Sequence, residues 1–407
     1  MRLNLSWRWI VACITISGVI VLLAIKYMHG KPNSLHELLE QTVKKNNIPG
    51  MAAIVVKSDK IIEASSFGLR HLGLPDSILV TDLFQIGSNT KAMTATMIAV
   101  LIEQGKLQWE TKLLDVFPEW KDKVHPDYRS ITLTDLLLHQ AGIPEYSNFS
   151  YLFNGKTVRD DGTQHLEEDR NDWKEMTSYS GTEMEQRKNF SLGVLSRKPS
   201  IPPHTKFLYS NVGYGIAAAM AEKVTGESWE TLMQKYLFRP LGIKAVFNWP
   251  AAIDPNQPWG HFKTDAGYKP HDPHDGFHLP ACLLPGGGIA MNLSDYGKFL
   301  QLHLKGLKGE DGLLKAKTIR YLHTRQIDLT GSPYSYVFGW AITDFEGVLG
   351  NVHSGSAGTF NASMVLWPTK DIAIAVFANA GALGANGPSF ELIKKTYRLY
   401  QQSKAGR

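Results

Sequence analysis

Cysteine is scarce in this chain: Cys13 and Cys282 are the only two among 407 residues. Cys13 lies in an apolar run near the N-terminus, whereas Cys282 lies far downstream. A disulfide between them is not expected, so the fold does not depend on one. With two cysteines, the redox character of the compartment is not determined by composition.

A cluster of positive charge is also missing. The formal net charge is +5, and Arg2, Arg8 and Lys26 account for three of these charges in residues 1–30, which contain no acidic residue. The remaining charge shows no basic patch, which excludes the usual signature of a nucleic-acid-binding protein. Repeats and low-complexity tracts are absent, and 43% hydrophobic residues are typical of a globular protein with a large core.

Long uncharged apolar runs are rare, and the notable one covers residues 9–25. It is short for a membrane span and long for the apolar part of a signal peptide. A good small-residue cleavage site does not follow it, so we interpret residues 1–31 as an uncleaved signal anchor, with a removed signal peptide as the alternative. Residues 32–407 are then expected outside the cytoplasm, in the periplasm or the extracellular space.

Segments of β character occur at both ends of the remaining chain. Gly50–Val56 and Ile61–Gly68 predict a hairpin, and Asn361–Trp367 with 371–380 predict a second pair of strands. Helical patterns fill the middle and the C-terminus, at 213–224, 228–238 and 388–402. The sequence predicts an α+β fold: an antiparallel sheet completed by both chain ends and flanked by helices, with a mostly helical subdomain inserted at roughly 105–260.

Residues 145–200 differ in character from their surroundings. They are rich in charge, serine, asparagine and glycine, and strong periodic runs are few. We interpret this segment as a solvated surface loop, with a lid or a substrate-binding wall as the alternative.

Ser88 and Lys91 form the first candidate for chemistry. They open an apolar run that predicts a buried helix, and their spacing places both side chains on one face. Burial lowers the pKa of a lysine, so a buried Lys91 amine is able to accept the proton of Ser88. This is a way of making a serine nucleophile without a histidine.

Two further short motifs carry suitable groups. Tyr209 and Asn211 precede the helix at 213–224 and offer a phenol for proton transfer and a carboxamide for orientation. His353 and Gly355 precede the strand at Asn361–Trp367, and Gly355 permits close approach of a ligand. The backbone N–H of Ser356 is then able to pair with that of Ser88 as an oxyanion hole.

A histidine-rich loop raises the question of a metal. His271, His274, Asp275 and His278 cluster among prolines and glycines, but no second group with metal-ligand spacing accompanies them. We therefore predict no metal and no cofactor.

The three motifs, taken in order, resemble those of the serine β-lactamase and penicillin-binding-protein superfamily, in its class C-like branch. The likeness covers about residues 35–400. Supporting stretches are 131–133, 139–144, Pro240-Leu241-Gly242, Pro285-Gly286-Gly287-Gly288 and Phe338-Gly339-Trp340. The resemblance implies a β-lactamase/transpeptidase-like fold for residues 32–407.

The resemblance also implies roles for individual residues. Ser88 is expected to be the acylated nucleophile and Lys91 its proton acceptor. Tyr209 is expected to exchange protons as base and acid, helped by polar or positive neighbours that lower its pKa. Asn211 is expected to hold the acyl side chain, while the N–H groups of Ser88 and Ser356 bind the oxyanion.

One position departs from the pattern of many penicillin-recognising members. They have Lys-Thr-Gly where this chain has His353-Ser354-Gly355. A histidine is mostly neutral at pH 7, and losing a charge-assisted hydrogen bond to a substrate carboxylate costs roughly 1.5–3 kcal/mol. Histidine also occurs here in peptidase-like and esterase-like relatives.

We therefore favour a serine hydrolase that forms an acyl-enzyme with a peptide, amide or ester, as a D-amino-acid peptidase or a carboxylesterase does. Its partner is a small-molecule or peptide substrate, with cell-wall-derived material among the candidates, and not nucleic acid. A class C-type β-lactamase and a non-catalytic penicillin-binding or cell-wall-peptide-binding protein remain the alternatives.

Overall fold

The computed structural model describes residues 32–146, 166–324, 327–328, 333–381, 383–384 and 387–405. The anchor predicted at residues 9–25 lies outside these ranges, as does Cys13. Within the described residues, no helix combines the length and the apolar character that a membrane crossing requires.

A large antiparallel sheet organises the protein. The strands in chain order are β1 (Gly50–Val56), β2 (Ile61–Gly68), β3 (Phe84–Gln85), β4 (Ala245–Phe247), β5 (His261–Thr264), β6 (Gly267–Pro270), β7 (Ile289–Met291), β8 (Ile327–Asp328), β9 (Ser335–Val337), β10 (Trp340–Phe345), β11 (Val348–Ser356), β12 (Asn361–Trp367) and β13 (Ile372–Ala378). Eight of them form the main sheet in the order β2-β1-β13-β12-β11-β10-β9-β8. Smaller sheets pair β3-β7-β4 and β5-β6.

Helices flank the sheet and fill the middle of the chain. In order they are α1 (Leu35–Asn46), α2 (Thr90–Glu103), α3 (Leu113–Val116), α4 (Leu133–Leu137), α5 (Leu166–Met176), α6 (Glu183–Leu195), α7 (Asn211–Thr225), α8 (Trp229–Met233), α9 (Pro250–Ile253), α10 (Leu284–Gly287), α11 (Leu293–Leu307), α12 (Ala316–Leu322) and α13 (Pro388–Ala405). A π-turn, Gln234–Phe238, extends α8 and leads into a last turn, Arg239–Leu241.

The expected α+β class is confirmed, and both chain ends complete the sheet. β1 pairs with β13, so that Met51 lies opposite Ala378. The side chains of β13 alternate between two apolar clusters: Ile374 packs with the layer of α1 and α13, and Phe377 packs with the layer of α2 and α11. Because both faces are covered, the central strands read as continuous apolar runs rather than as alternating ones.

The segment interpreted as a loop, residues 145–200, is largely helical where it is described. Helices α5 and α6 occupy residues 166–176 and 183–195, and α6 buries Phe190, Val194 and Leu195. The loop interpretation is wrong here because Arg187, one of the charges that suggested solvation, is fully buried in ion pairs with Glu222 and a second glutamate. Residues 147–165 of the segment lie outside the described ranges.

Candidate active site

Ser88 lies in a 3-10 turn, Gly87–Asn89, that runs directly into α2. The turn packs against β11, and the approach is so close that a Cβ at Gly355 would lie 2.5 Å from the Ser88 nitrogen. Gly87 has a φ of +52°, and a Cβ there would lie 2.3 Å from the Ser356 nitrogen. Glycine is needed at both positions, because the backbone of Gly87 and Ser88 packs directly against that of Gly355 and Ser356.

Lys91 lies in the first turn of α2 and is fully buried. Its Nζ is 3.1 Å from Ser88 Oγ, 2.6 Å from Asn211 Oδ1 and 2.8 Å from the carbonyl oxygen of Gly286. Burial lowers the pKa of Lys91 well below its ordinary value, because the charged form loses its hydration. The geometry places an amine with a lowered pKa next to the serine hydroxyl.

Tyr209 is the second side chain in contact with Ser88 Oγ. Its hydroxyl donates a hydrogen bond to Ser88 Oγ at 2.8 Å. The expectation that its neighbours lower its pKa below the ordinary value is wrong: burial raises the pKa of Tyr209 well above 10, and the smaller lowering by the hydrogen bond with Ser88 does not offset it. The physical reason is that the phenolate would lose its hydration in this buried position. Lys91 Nζ lies over the ring of Tyr209, 4.7 Å from its centroid.

Asn211 opens α7, and Ser210 caps this helix. Besides Oδ1 on Lys91, Asn211 donates from Nδ2 to the carbonyl oxygen of Tyr146 at 3.3 Å. One carboxamide thus joins the lysine to the segment after α4. This contact orients the lysine amine.

His353 lies on β11 near the cleft and is only 9% exposed. Burial, with a smaller contribution from Lys91, lowers its pKa to about 3. The imidazole is therefore uncharged at neutral pH, more firmly so than a free histidine would be. Ser354 and the exposed Ser356 follow on the same strand.

Sequence reasoning assigned no role to two groups that position these side chains. The first is the Gly286 carbonyl, which accepts a hydrogen bond from Lys91 Nζ and lies in α10. The second is His139, whose Nδ1 accepts the Ser210 N–H at 3.0 Å, so Nε2 carries the proton toward the Tyr336 hydroxyl at 3.0 Å. A histidine directly after the apolar run 136–138 was the available signal for this buried role.

Histidines of the histidine-rich loop contact aspartates of the same loop. His271 Nε2 lies 2.9 Å from Asp275, and His274 Nδ1 lies 3.1 Å from Asp272. In the ranges given above, no group of three or more histidine, cysteine, aspartate or glutamate side chains is arranged to hold a metal.

Comparison with known proteins places this geometry in a family. The family model described as Beta-lactamase matches residues 35–389. Penicillin-binding protein 4 of Amycolatopsis lactamdurans is 25% identical over 348 residues, covering 83% of this chain and 82% of its own length. Unguisins hydrolase ungD' of Aspergillus campestris is 25% identical over 360 residues, covering 84% of this chain and 60% of its own length.

Solved structures show the same fold. The octameric penicillin-binding protein homologue from Pyrococcus abyssi superposes with a TM-score of 0.71 and 22% identity, over 90% of this chain and 77% of that one. The penicillin-binding protein from Bacillus halodurans superposes with a TM-score of 0.68 and 20% identity, over 89% of this chain and 99% of that one.

Proposed function

Since the chain belongs to the beta-lactamase family, we propose that it is a serine hydrolase that forms an acyl-enzyme through Ser88 on a peptide, amide or ester substrate. The observation that carries the proposal is the set of short contacts from Tyr209 through Ser88 to Lys91. The similarity to relatives named as a hydrolase and as a penicillin-binding protein supports the same class of reaction.

Lys91 Nζ donates to three acceptors in the structure, and acylation uses its neutral form. The amine has two N–H groups and one lone pair, and the acceptors at Asn211 Oδ1 and the Gly286 carbonyl use the two N–H groups. The lone pair is then available to the Ser88 hydroxyl, whereas in the structure itself Nζ is the donor to Ser88 Oγ, at 3.1 Å. Ser88 Oγ accepts from the Tyr209 hydroxyl at the same time, so the nucleophile is held between a proton acceptor and a proton donor.

Acylation follows from these contacts. Ser88 gives its proton to Lys91 as Oγ attacks the substrate carbonyl carbon, and the N–H groups of Ser88 and Ser356 bind the developing oxyanion. Tyr209 protonates the leaving group as its bond to the carbonyl carbon breaks, and the proton that Lys91 took from Ser88 then passes to Tyr209, which restores both groups. The net transfer is one proton from Ser88 to the leaving group, and water reverses the path during deacylation.

His353 bears on the substrate class. With a pKa of about 3 it offers no cation to a substrate carboxylate at neutral pH. A permanent charge at this position would strengthen carboxylate recognition, and β-lactams carry such a carboxylate. The neutral imidazole therefore favours peptides, amides or esters over β-lactams.

Intact mass spectrometry tests the nucleophile. The protein is incubated with a fluorophosphonate probe, and an adduct is expected on the wild type and on Ser178→Ala, a control at an exposed serine. The adduct should disappear in Ser88→Ala. An equal adduct on Ser88→Ala, or none on the wild type, would refute the assignment.

Two chromogenic substrates separate hydrolysis from the alternatives. Turnover of p-nitrophenyl acetate without turnover of nitrocefin is expected. Efficient nitrocefin turnover would favour a β-lactamase, and a stable adduct with labelled penicillin without turnover of either substrate would favour a binding protein.

We also propose that residues 32–407 form the hydrolase domain, with the helical subdomain at roughly 105–260. Residues 9–25 are proposed to anchor this domain to a membrane, with the domain itself outside the cytoplasm. The family match over residues 35–389 supports the first part, and the uncharged apolar run supports the second. Membrane fractionation of the full chain and of a chain starting at residue 32 tests the anchor. Equal release of both into the soluble fraction would contradict it.

A further inference from the structure

A cavity of about 340 Å³ opens beside Tyr209 and His353. This volume lies at the lower end of the range for pockets that bind small organic molecules. Aromatic side chains from separate parts of the fold line it: Phe207, Tyr334, Tyr336, Phe345 and Phe390.

The position of Tyr209 identifies which part of a substrate the cavity receives. Its hydroxyl lies 2.8 Å from Ser88 Oγ and its ring forms part of the cavity wall. If Tyr209 protonates the leaving group, the leaving group must lie on the Tyr209 side of Ser88. Asn211, which is expected to hold the acyl side chain, contacts Lys91 and is not among the described residues that line the cavity.

The chemistry of the wall suits an uncharged group. Ala341 and Val352 add aliphatic surface to the aromatic rings, and His353 is neutral. Among the described lining residues, Lys394 carries the one formal charge, and its Nζ already binds Glu391 Oε1 at 2.9 Å. An apolar or aromatic substituent would bury its surface here without leaving a charged group buried and unpaired.

We propose that this cavity, between β10, β11 and the start of α13, binds an uncharged aromatic leaving group, so that the preferred substrates are esters or amides of such groups. The inference rests on the proposed function, because it assigns one side of the same acylation centre. It narrows the substrate from any peptide, amide or ester to those with a bulky apolar leaving group.

Two esters with the same acyl group test the cavity. Benzyl acetate and methyl acetate release alcohols of similar acidity, so a difference in kcat/KM reports binding of the leaving group. We expect benzyl acetate to be preferred by about tenfold or more. A ratio near one in an enzyme whose turnover depends on Ser88 would overturn the cavity assignment and leave the proposed function standing.

A variant that fills the cavity is compared with a matched variant at an exposed position. Ala341→Phe, on its wall, should lower the ratio of benzyl to methyl acetate hydrolysis by about fivefold or more. Leu349→Phe, at an exposed position on the neighbouring strand, should preserve the ratio. Tyr334→Ala should lower it as well, which covers the case in which Ala341→Phe does not fold.

A charged analogue decides between an apolar and an anionic occupant. 4-Carboxybenzyl acetate should be hydrolysed more slowly than benzyl acetate. A faster rate that Lys394→Gln abolishes would overturn the proposal, because the cavity would then bind an anion through Lys394. Turnover that survives Ser88→Ala would instead refute the proposed function, and this inference with it.

Discussion

Lys91 shows how one side chain is prepared by its surroundings. Its Nζ is enclosed by Ser88, Asn211 and the Gly286 carbonyl, and burial, rather than a neighbouring charge, lowers its pKa. The free amine is the form that accepts a proton, so a lowered pKa extends activity toward neutral pH.

Replacement of Lys91 should remove this acceptor. Lys91→Gln is expected to reduce the acylation rate by about 10²–10⁴-fold, the usual size of a general-base contribution. In the wild type, kcat/KM should rise with pH through a pKa well below 10.5 and then level off. Stopped-flow acylation against pH measures both effects, with the exposed Lys106→Gln as control. A wild-type rate still rising near pH 10 would contradict a neutral Lys91.

Tyr209 should act mainly as an acid. Burial raises its pKa well above 10, so the hydroxyl holds its proton at neutral pH. Tyr209→Phe is expected to slow hydrolysis of an anilide by about 10²-fold or more, because its leaving amine needs a proton, and to slow a p-nitrophenyl ester much less. Steady-state kinetics on matched acyl groups measure the split, with the half-buried Tyr236→Phe as control. Equal losses on both substrates would argue against leaving-group protonation.

At the scale of elements, the segment before α7 is held by His139, which lies two residues beyond the end of α4. The carbonyl oxygen of His139 accepts the Leu208 N–H at 2.8 Å, and its Nδ1 accepts the Ser210 N–H at 3.0 Å. Both contacts flank Tyr209, so His139 positions the phenol without touching Ser88. Burial lowers the pKa of His139 well below 6.5, which keeps Nδ1 an acceptor.

Substitution of His139 should therefore disturb geometry more than charge. His139→Leu is expected to lower kcat by about tenfold or more with little change in KM, since a small displacement of a catalytic group is costly. His139→Gln, whose amide both accepts and donates, should recover part of the loss. Failure of glutamine to outperform leucine would indicate that packing alone explains the effect.

Helix α6 is tied to α7 and α8 by a buried arginine. Arg187 binds Glu222 at 2.7 Å and Glu230 at 3.1 Å, and donates to the Ala281 carbonyl. Removing one partner leaves charges buried without compensation.

Arg187→Ala should accordingly lower the free energy of unfolding by about 3–5 kcal/mol. Urea unfolding measures the change, and Lys188→Ala, at an exposed position one residue further on, should lie within about 0.5 kcal/mol of the wild type. A loss below about 1 kcal/mol for Arg187→Ala would show that the network is not required.

For the whole molecule, buried histidines predict sensitivity to acid. Burial lowers the pKa of His261 and of His323 to about 4 from 6.5. The unfolded chain binds protons at these sites first, so their stabilising contribution is present above pH 6.5 and is lost as the pH falls toward 4. Between neutral pH and pH 5, each of these two histidines should lower the free energy of unfolding by roughly 2 kcal/mol.

Urea unfolding at pH 7.5 and pH 5 measures this loss. In His323→Gln, the free energy of unfolding should differ less between the two pH values, and the reduction should equal the contribution of one histidine. His278→Gln, at an exposed position, should leave it as in the wild type. An unchanged difference in His323→Gln would mean that acid sensitivity has another origin.

Local patterns predicted the regular elements well. The hairpin β1–β2, the pair β12–β13 and the helices near 213 and 388 lie where the sequence placed them, since apolar runs and turn residues act over a few positions. Helix α6 was missed because a charge count cannot distinguish a solvated arginine from one paired with Glu222 and Glu230. Its N-terminal capping box, Thr182 with Glu185, was the local signal to use.

The sequence alone determined the family resemblance, the α+β class and the set of groups Ser88, Lys91, Tyr209 and Asn211 as candidates for chemistry, because these depend on residue type and order. Only the tertiary structure decided their protonation. Burial is a property of the packed fold: it lowers the pKa of Lys91, raises that of Tyr209 and leaves His353 neutral. Residues distant in the chain, such as Gly286 and Phe390, reach the site only because the sheet and helices bring them there.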